Sequence, residues 1–289
     1  MSQGNTLDKI KKLREITGVG FKDCKIAIDE TGGDIEKSII LLRKKGIAKA
    51  NKRMGRIAAE GLVCISETNN KLAMIELNSE TDFVAKNNEF IKFTEETSKI
   101  ALSNFGNMEN ILNSKMENKK NLKDNLIDLV AKIGEKITLR RTAFIGNDKY
   151  INFSYTHAPV KKNIGKLGVL LSLETTKTRN EILDLGKQLS MQIAATAPLA
   201  IAEKNLDTKI LDKEKEIIKE ELKNSGKDIK IVDKIALGKL NKFIQENTLL
   251  NQEWIVDPNK RVKDVINEAS GKDKIKIKQF IRFKVGEGV

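Results

Sequence analysis

Apolar and polar positions along this chain follow two periods, and the switches between them mark out its elements. Leu72-Ala73-Met74-Ile75-Glu76-Leu77 is a nearly continuous apolar run, the right length for a buried strand and short for a helix. A second such run spans Gly61 to Glu67, and Asn69-Asn70 between the two predicts a tight hairpin. After the hairpin, Asn78 to Asn87 is polar and turn-prone except for one large side chain, Phe83. A lone aromatic on a polar loop is either tucked back into its own core or offered to a partner.

Helical spacing dominates elsewhere. Over residues 6–45, Leu7, Ile10, Leu13 and Arg14 run up to Thr17-Gly18-Val19-Gly20. Cys24, Ala27 and Ile28 follow up to Gly32-Gly33, and Asp34 then caps a stretch bearing Ile35, Ile39, Ile40 and Leu42. This predicts a three-helix module whose thin core leaves apolar surface for docking. The basic, Ala-rich segment 47–60 reads as a linker with partial helical character. Further along, helices are expected at 88–102 and at 126–133 with Gly134 as the stop, and a strand at 137–145. Lys166 to Thr175 echoes Lys71 to Glu80, and a helical pattern follows each, at 180–195 in the second case. That predicts a duplicated strand-then-helix unit and two related α+β subdomains. Between about 205 and 250, Lys and Glu with sparse Leu and Ile in two stretches, broken at Asn224-Ser225-Gly226, predict a protruding antiparallel helical hairpin. A helix at 262–269 and an alternating strand at 275–285 close the chain on the second subdomain's sheet. The expected division is therefore 1–54 for the module and linker, 55–145 for the first core subdomain, and 146–289 for the second with its hairpin. The fold class expected is α+β with small antiparallel sheets.

Composition narrows the function. With 39% hydrophobic and 32% charged residues in 289, the chain is globular, and 4% aromatic content leaves its cores to Ile, Leu and Val. A net charge of +13 favours approach to something acidic: nucleic acid, an anionic membrane or an acidic protein. Cys24 and Cys64 are the only cysteines and His157 the only histidine, which removes most zinc ligand sets and fits a reducing compartment, so no metal is expected. Met1 to Asn5 shows no basic-then-apolar signal, and the longest uncharged stretch, Gln188 to Ala202, is too short to span a bilayer. A cytoplasmic protein without membrane attachment is expected. No GxxxxGK[ST] or GxSxG occurs and Gly18-Val19-Gly20 follows no strand, so neither a bound nucleotide or other cofactor nor an enzymatic site is expected. An RNA-binding protein is the alternative, resting on the charge and the basic segment from Lys44 to Arg56. Scarce aromatics for base stacking weigh against it.

Leu13-Arg14-Glu15-Ile16-Thr17-Gly18-Val19-Gly20-Phe21-Lys22, Thr81-Asp82-Phe83-Val84-Ala85-Lys86-Asn87, Ile133-Gly134-Glu135, Tyr155-Thr156-His157 and Phe280-Ile281-Arg282-Phe283 follow one another along the chain. Taken together and in this order, they resemble the bacterial-type elongation factor Ts family. The resemblance covers nearly the whole chain. It implies a guanine-nucleotide exchange factor for elongation factor Tu, engaging both GDP-bound and nucleotide-free Tu, with no covalent chemistry and no direct nucleic-acid contact. It also implies that the N-terminal module is ubiquitin-associated-like and docks on the GTPase domain. The loop Thr81, Asp82, Phe83, Val84 would then intrude beside the nucleotide and dislodge Mg²⁺, with Phe83 as wedge, Asp82 as polar partner, and Thr81 and Val84 as frame. Partner contacts are implied at Leu13, Arg14, Gly20, Phe21 and Lys22, at the helix end Ile133 and Gly134, and at His157, which read alone fits a structural histidine better. The apolar seam of the 205–250 hairpin is the surface expected for a homodimer.

Overall fold

The computed structural model describes residues 3–53, 55–223 and 229–289. Helices α1 (Gln3–Thr17), α2 (Phe21–Glu30) and α3 (Ile35–Arg53) close on a small core of Ile10, Leu13, Cys24, Ala27, Ile28 and Leu42. The segment expected as a linker is helical in its first half: no proline or glycine interrupts 47–53, and its Ala and Lys residues favour helix. Met54, within the same segment, lies outside the described residues.

Strands β1 (Glu60–Thr68) and β2 (Lys71–Ser79) form the expected hairpin. Asn69 and Asn70 both take positive φ, 42° and 65°, which matches the right-handed twist of the strands they join. Then come α4 (Asp82–Ala85), α5 (Asn88–Ser103), α6 (Met108–Asn113), α7 (Leu122–Ile133) and β3 (Thr138–Ile145). Asn87, Asn107 and Asn121 each cap a following helix by accepting backbone N–H bonds. The helices cover one face of an antiparallel sheet ordered β3-β2-β1-β5, burying Phe90, Ile111 and Leu122 against Ile75 and Leu77. Its fourth strand, β5 (Ile164–Gly165), comes from the second half of the chain, so the two subdomains share a sheet. A tight approach seats the N-terminal module on this layer: a Cβ on Gly46 of α3 would lie 2.9 Å from the Ala131 Cβ of α7, and Arg43 pairs with Asp124 at 2.9 Å.

The second subdomain is a three-stranded antiparallel sheet, β4 (Ile151–His157), β6 (Leu167–Glu174) and β9 (Lys276–Lys284), in the order β4-β6-β9. Helix α8 (Leu183–Thr196) packs on it through Leu185, Leu189 and Ile193, repeating the first subdomain's strand-then-helix arrangement. Helices α9 (Thr208–Lys223) and α10 (Ile229–Asn247) pair through Leu211, Leu240 and a Glu221–Lys239 bridge of 2.6 Å. The Asn224-Ser225-Gly226 turn expected between them lies outside the described residues. A ribbon of β7 (Glu253–Trp254) and β8 (Asp257–Arg261) and helix α11 (Val262–Ser270) complete the layer. The sheets meet through Val63, Ile65 and Met74 on one side and Leu170 and Phe283 on the other. Among the described residues, no helix is long and apolar enough to cross a membrane.

Candidate functional site

The polar loop after β2 folds into the single turn of α4, too short to show a period in sequence. Val84 and Ala85 are buried against β1 and β2, whereas Phe83 is 78% exposed. The question left open by the sequence is answered: the ring is outside the protein's own core. The Lys86 ammonium lies 5.9 Å from its centroid and bridges to Asp82 at 2.8 Å. That hydrogen bond, with the charges of Lys86 and Lys166, holds the Asp82 carboxyl below its ordinary range, so it is ionised.

A bracket of four neighbouring residues fixes the loop. Thr81 donates from its backbone N–H (3.0 Å) and its hydroxyl (2.7 Å) to the Glu135 carboxylate, while the Lys136 N–H donates to Glu80 at 2.6 Å. Arg56 closes it from the other side, pairing with Glu80 at 3.1 Å. Burial is the largest single influence on the Glu80 carboxyl and pushes its pKa up. The Lys136 N–H and the Arg56 guanidinium outweigh it and leave the group lowered. Glu135 is available because α7 ends two residues earlier, at Ile133: Gly134 takes φ +89° and its N–H returns to the Val130 carbonyl at 3.0 Å. Thus the residue just after Ile133 and Gly134 is tied to Thr81, at the start of the loop, by hydrogen bonds between residues 54 apart in the chain, a link whose only trace in sequence is the Gly134-Glu135 dipeptide.

The remaining predicted residues sit apart. Arg14, Gly20, Phe21 and Lys22 are exposed around the turn between α1 and α2, with Phe21 at 44% and its neighbour Ile16 at 55%. That turn rests on α7, since a Cβ on Gly18 would clash with the Lys132 side chain. Leu13 is a correction: its side chain is fully buried among Cys24 and Ile28, because its helical phase points it at the module's core, and it has no surface to give a partner. His157 is exposed at the end of β4, its Nδ1 3.0 Å from the Tyr155 hydroxyl. It faces Leu167 across the ladder, next to Lys166, which bridges to Glu60 at 2.5 Å. Among the described residues no hydrogen bond or ion pair joins His157 to the loop.

Sequence reading missed the polar centre behind the site. Glu76 is fully buried in β2, where a strand pattern expects an apolar side chain. A bulge explains its company: Glu76 faces Arg141 and Leu77 faces Leu139, so Arg140 is the extra residue and both arginines reach one carboxylate. Arg140 donates at 3.1 Å and Arg141 Nε at 2.5 Å, joined by Asn78 Nδ2 (3.1 Å) and the Gly286 N–H (3.0 Å). The arginines also hold the carbonyls of Glu287 and Lys284, tying the last residues to the first sheet.

Comparison with known proteins agrees with the motifs. A family profile described as Elongation factor TS matches residues 80–287. The chain is 41% identical over 287 residues to elongation factor Ts of Methylobacterium sp. (strain 4-46), covering 98% of this chain and 93% of that protein. For Methylobacterium nodulans the identity is 42% with the same coverage, and for Gluconobacter oxydans it is 38% over 97% and 91%. With the family's motifs laid out in order on one α+β scaffold, and relatives matching along nearly its whole length, the chain belongs to the elongation factor Ts family.

Proposed function

We propose that this protein is the guanine-nucleotide exchange factor for elongation factor Tu, acting in translation elongation through the Thr81–Val84 loop. The observation that carries the reading is Phe83: a large apolar ring, exposed, on a turn held rigid by Glu135, Glu80 and Arg56. A side chain that contributes little to its own core and is already fixed in place loses little entropy on entering a partner pocket.

The mechanism needs no reaction. A factor that binds nucleotide-free Tu more tightly than GDP-bound Tu must weaken GDP by the same ratio. Mg²⁺ in Tu ties the nucleotide phosphates to protein oxygens, so moving it aside removes much of the electrostatic hold on GDP. Phe83 wedges into the site, and the ionised Asp82 exchanges Lys86 for a polar group of Tu, steadying the displaced segment. Thr81 and Val84 keep the turn in shape. Arg14, Gly20, Phe21 and Lys22 dock the module on the GTPase domain, with Leu13 supporting them from inside. Ile133 and Gly134 form a second contact beside the loop, and His157 a third from the other sheet. The excess of positive charge, +13, speeds encounter with an acidic partner.

Burying one phenyl ring supplies about 2–3 kcal/mol, or about 30- to 150-fold in rate. The test is GDP release from purified Tu, followed with a fluorescent GDP, with wild type and with the double variant Asp82→Ala, Phe83→Ala. Acceleration falls by about that factor while the circular dichroism spectrum and melting temperature hold, because both side chains are exposed. A double variant as active as wild type refutes the assignment of the loop.

A further inference from the structure

On the face of the second subdomain formed by α11 and β9 lies a cavity of about 400 Å³ that the exchange reading does not use. Its lining includes Ile275, Lys276, Ile277 and Lys278, four consecutive residues of the last strand and its approach. Side chains alternate across a strand, so four in a row can line one groove only if it runs along the strand's edge. β9 is the outermost strand in the order β4-β6-β9, and among the described residues no backbone hydrogen bond outside that sheet is made by residues 276–280. The groove is therefore an open sheet edge, the feature that accepts an added strand.

Its chemistry is lopsided. Aliphatic side chains of Ile201, Leu250 and Ile266 join Ile275 and Ile277 in the lining, and the charged residues are four lysines, Lys204, Lys263, Lys276 and Lys278, with no carboxylate. Only Lys278 has an ion pair among the described residues, with Glu174 at 3.5 Å. The other three are exposed, and their charges are unanswered. Aromatic rings, on which unpaired bases would stack, are absent from the lining, which disfavours RNA.

We propose that this groove binds an extended acidic peptide segment of another protein, added as a strand to the outer edge of β9. Its aliphatic residues fill the floor, and its Asp and Glu side chains answer Lys204, Lys263 and Lys276. Main-chain pairing supplies affinity, and the alternation of acidic and aliphatic side chains supplies selection.

The probe is a fluorescein-labelled peptide of about eight residues, strand length, alternating Glu with Ile or Val, titrated with the full chain by fluorescence anisotropy. Its counterpart with Lys in place of Glu and a labelled oligouridine are the controls. The acidic peptide binds, and binding weakens with salt. Hydrogen exchange slows at residues 275–280 on adding it. The variant Lys204→Glu, Lys263→Glu, Lys276→Glu binds it about tenfold or more weakly, while still accelerating GDP release from Tu as wild type does, which shows that it is folded. Equal binding of the acidic and lysine peptides, or an exchange pattern unchanged at 275–280, overturns the proposal. So does oligouridine binding through the same lysines without the peptide, or a concentration-dependent dimer lost in the variant, which would make the occupant RNA or a second copy.

Discussion

Replacing Glu76 by Gln keeps the shape of the side chain and removes its charge from a site where four residues donate hydrogen bonds to it. Gln can still offer its carbonyl oxygen to the Gly286 N–H, Asn78 and Arg140, but its amide then turns N–H groups toward the Arg141 Nε–H, now 2.5 Å from a carboxylate oxygen. Breaking a fully buried ion pair costs about 3–5 kcal/mol. Here the arginine side chains are 24% and 30% exposed, so water takes up part of the loss, and about 2–4 kcal/mol is expected. For a chain of this size that lowers the melting temperature by about 5–15 °C. The same arginines hold the carbonyls of Lys284 and Glu287, so amide exchange at residues 285–287 should speed up more than in β6, which is held by its own ladder.

The pH dependence carries a sign. Burial is the largest influence on the Glu76 carboxyl and raises its pKa, yet the bonds from Gly286, Arg141 and Asn78 outweigh it and leave the pKa lowered. A lowered folded-state pKa gives stability that is present above the unfolded value of about 4.3 and is lost as pH falls through the folded one. Wild type should therefore lose stability below about pH 4 more steeply than Glu76→Gln, whose side chain has no proton to take up. Thermal melts by circular dichroism at pH 7, urea melts at pH 7 and pH 3.5, and hydrogen exchange by mass spectrometry measure these effects. A variant melting within about 2 °C of wild type, with unchanged exchange at 285–287, refutes the reasoning.

Two further substitutions separate the loop's rigidity from its chemistry and probe the seat of the N-terminal module. Glu135→Ala removes both acceptors of Thr81 while leaving Phe83 and Asp82 untouched, so a loss of about 1–2 kcal/mol of stability should accompany a drop in exchange of about three- to tenfold, as the wedge is no longer held in place. Stopped-flow GDP release and thermal melts check it, and full exchange activity would show that the bracket is dispensable. Gly46→Leu forces a side chain into the 2.9 Å approach to Ala131, costing about 1–3 kcal/mol and lifting α3 from α7. Limited proteolysis between α3 and β1 should quicken, with the core melting transition retained.

Much of this architecture was legible in the chain. Periodic helices, the Asn69-Asn70 hairpin and the Gly134 stop depend on contacts within a few residues, and local sequence is where those contacts are written. The asparagine caps at 87, 107 and 121 belong to the same class, since each bonds only two or three residues ahead. Other features left weak traces or none. Helix α4 is a single turn, β5 is two residues long and owes its place only to pairing with β1, and Leu13, which the resemblance names as a partner contact, is buried by its helical phase.

The chain by itself determined where its longer helices and the strands β1, β2, β3, β6 and β9 lie, because those choices are settled by side-chain spacing and nearby hydrogen bonds. Tertiary structure alone decided that Phe83 faces outward while Val84 and Ala85 face inward, that Glu135 braces Thr81, and that two arginines converge on Glu76. Each of those outcomes depends on groups from distant parts of the chain meeting at hydrogen-bonding distance. Spacing along a sequence carries no record of which distant donor a buried acceptor will meet once the sheets and helices have packed.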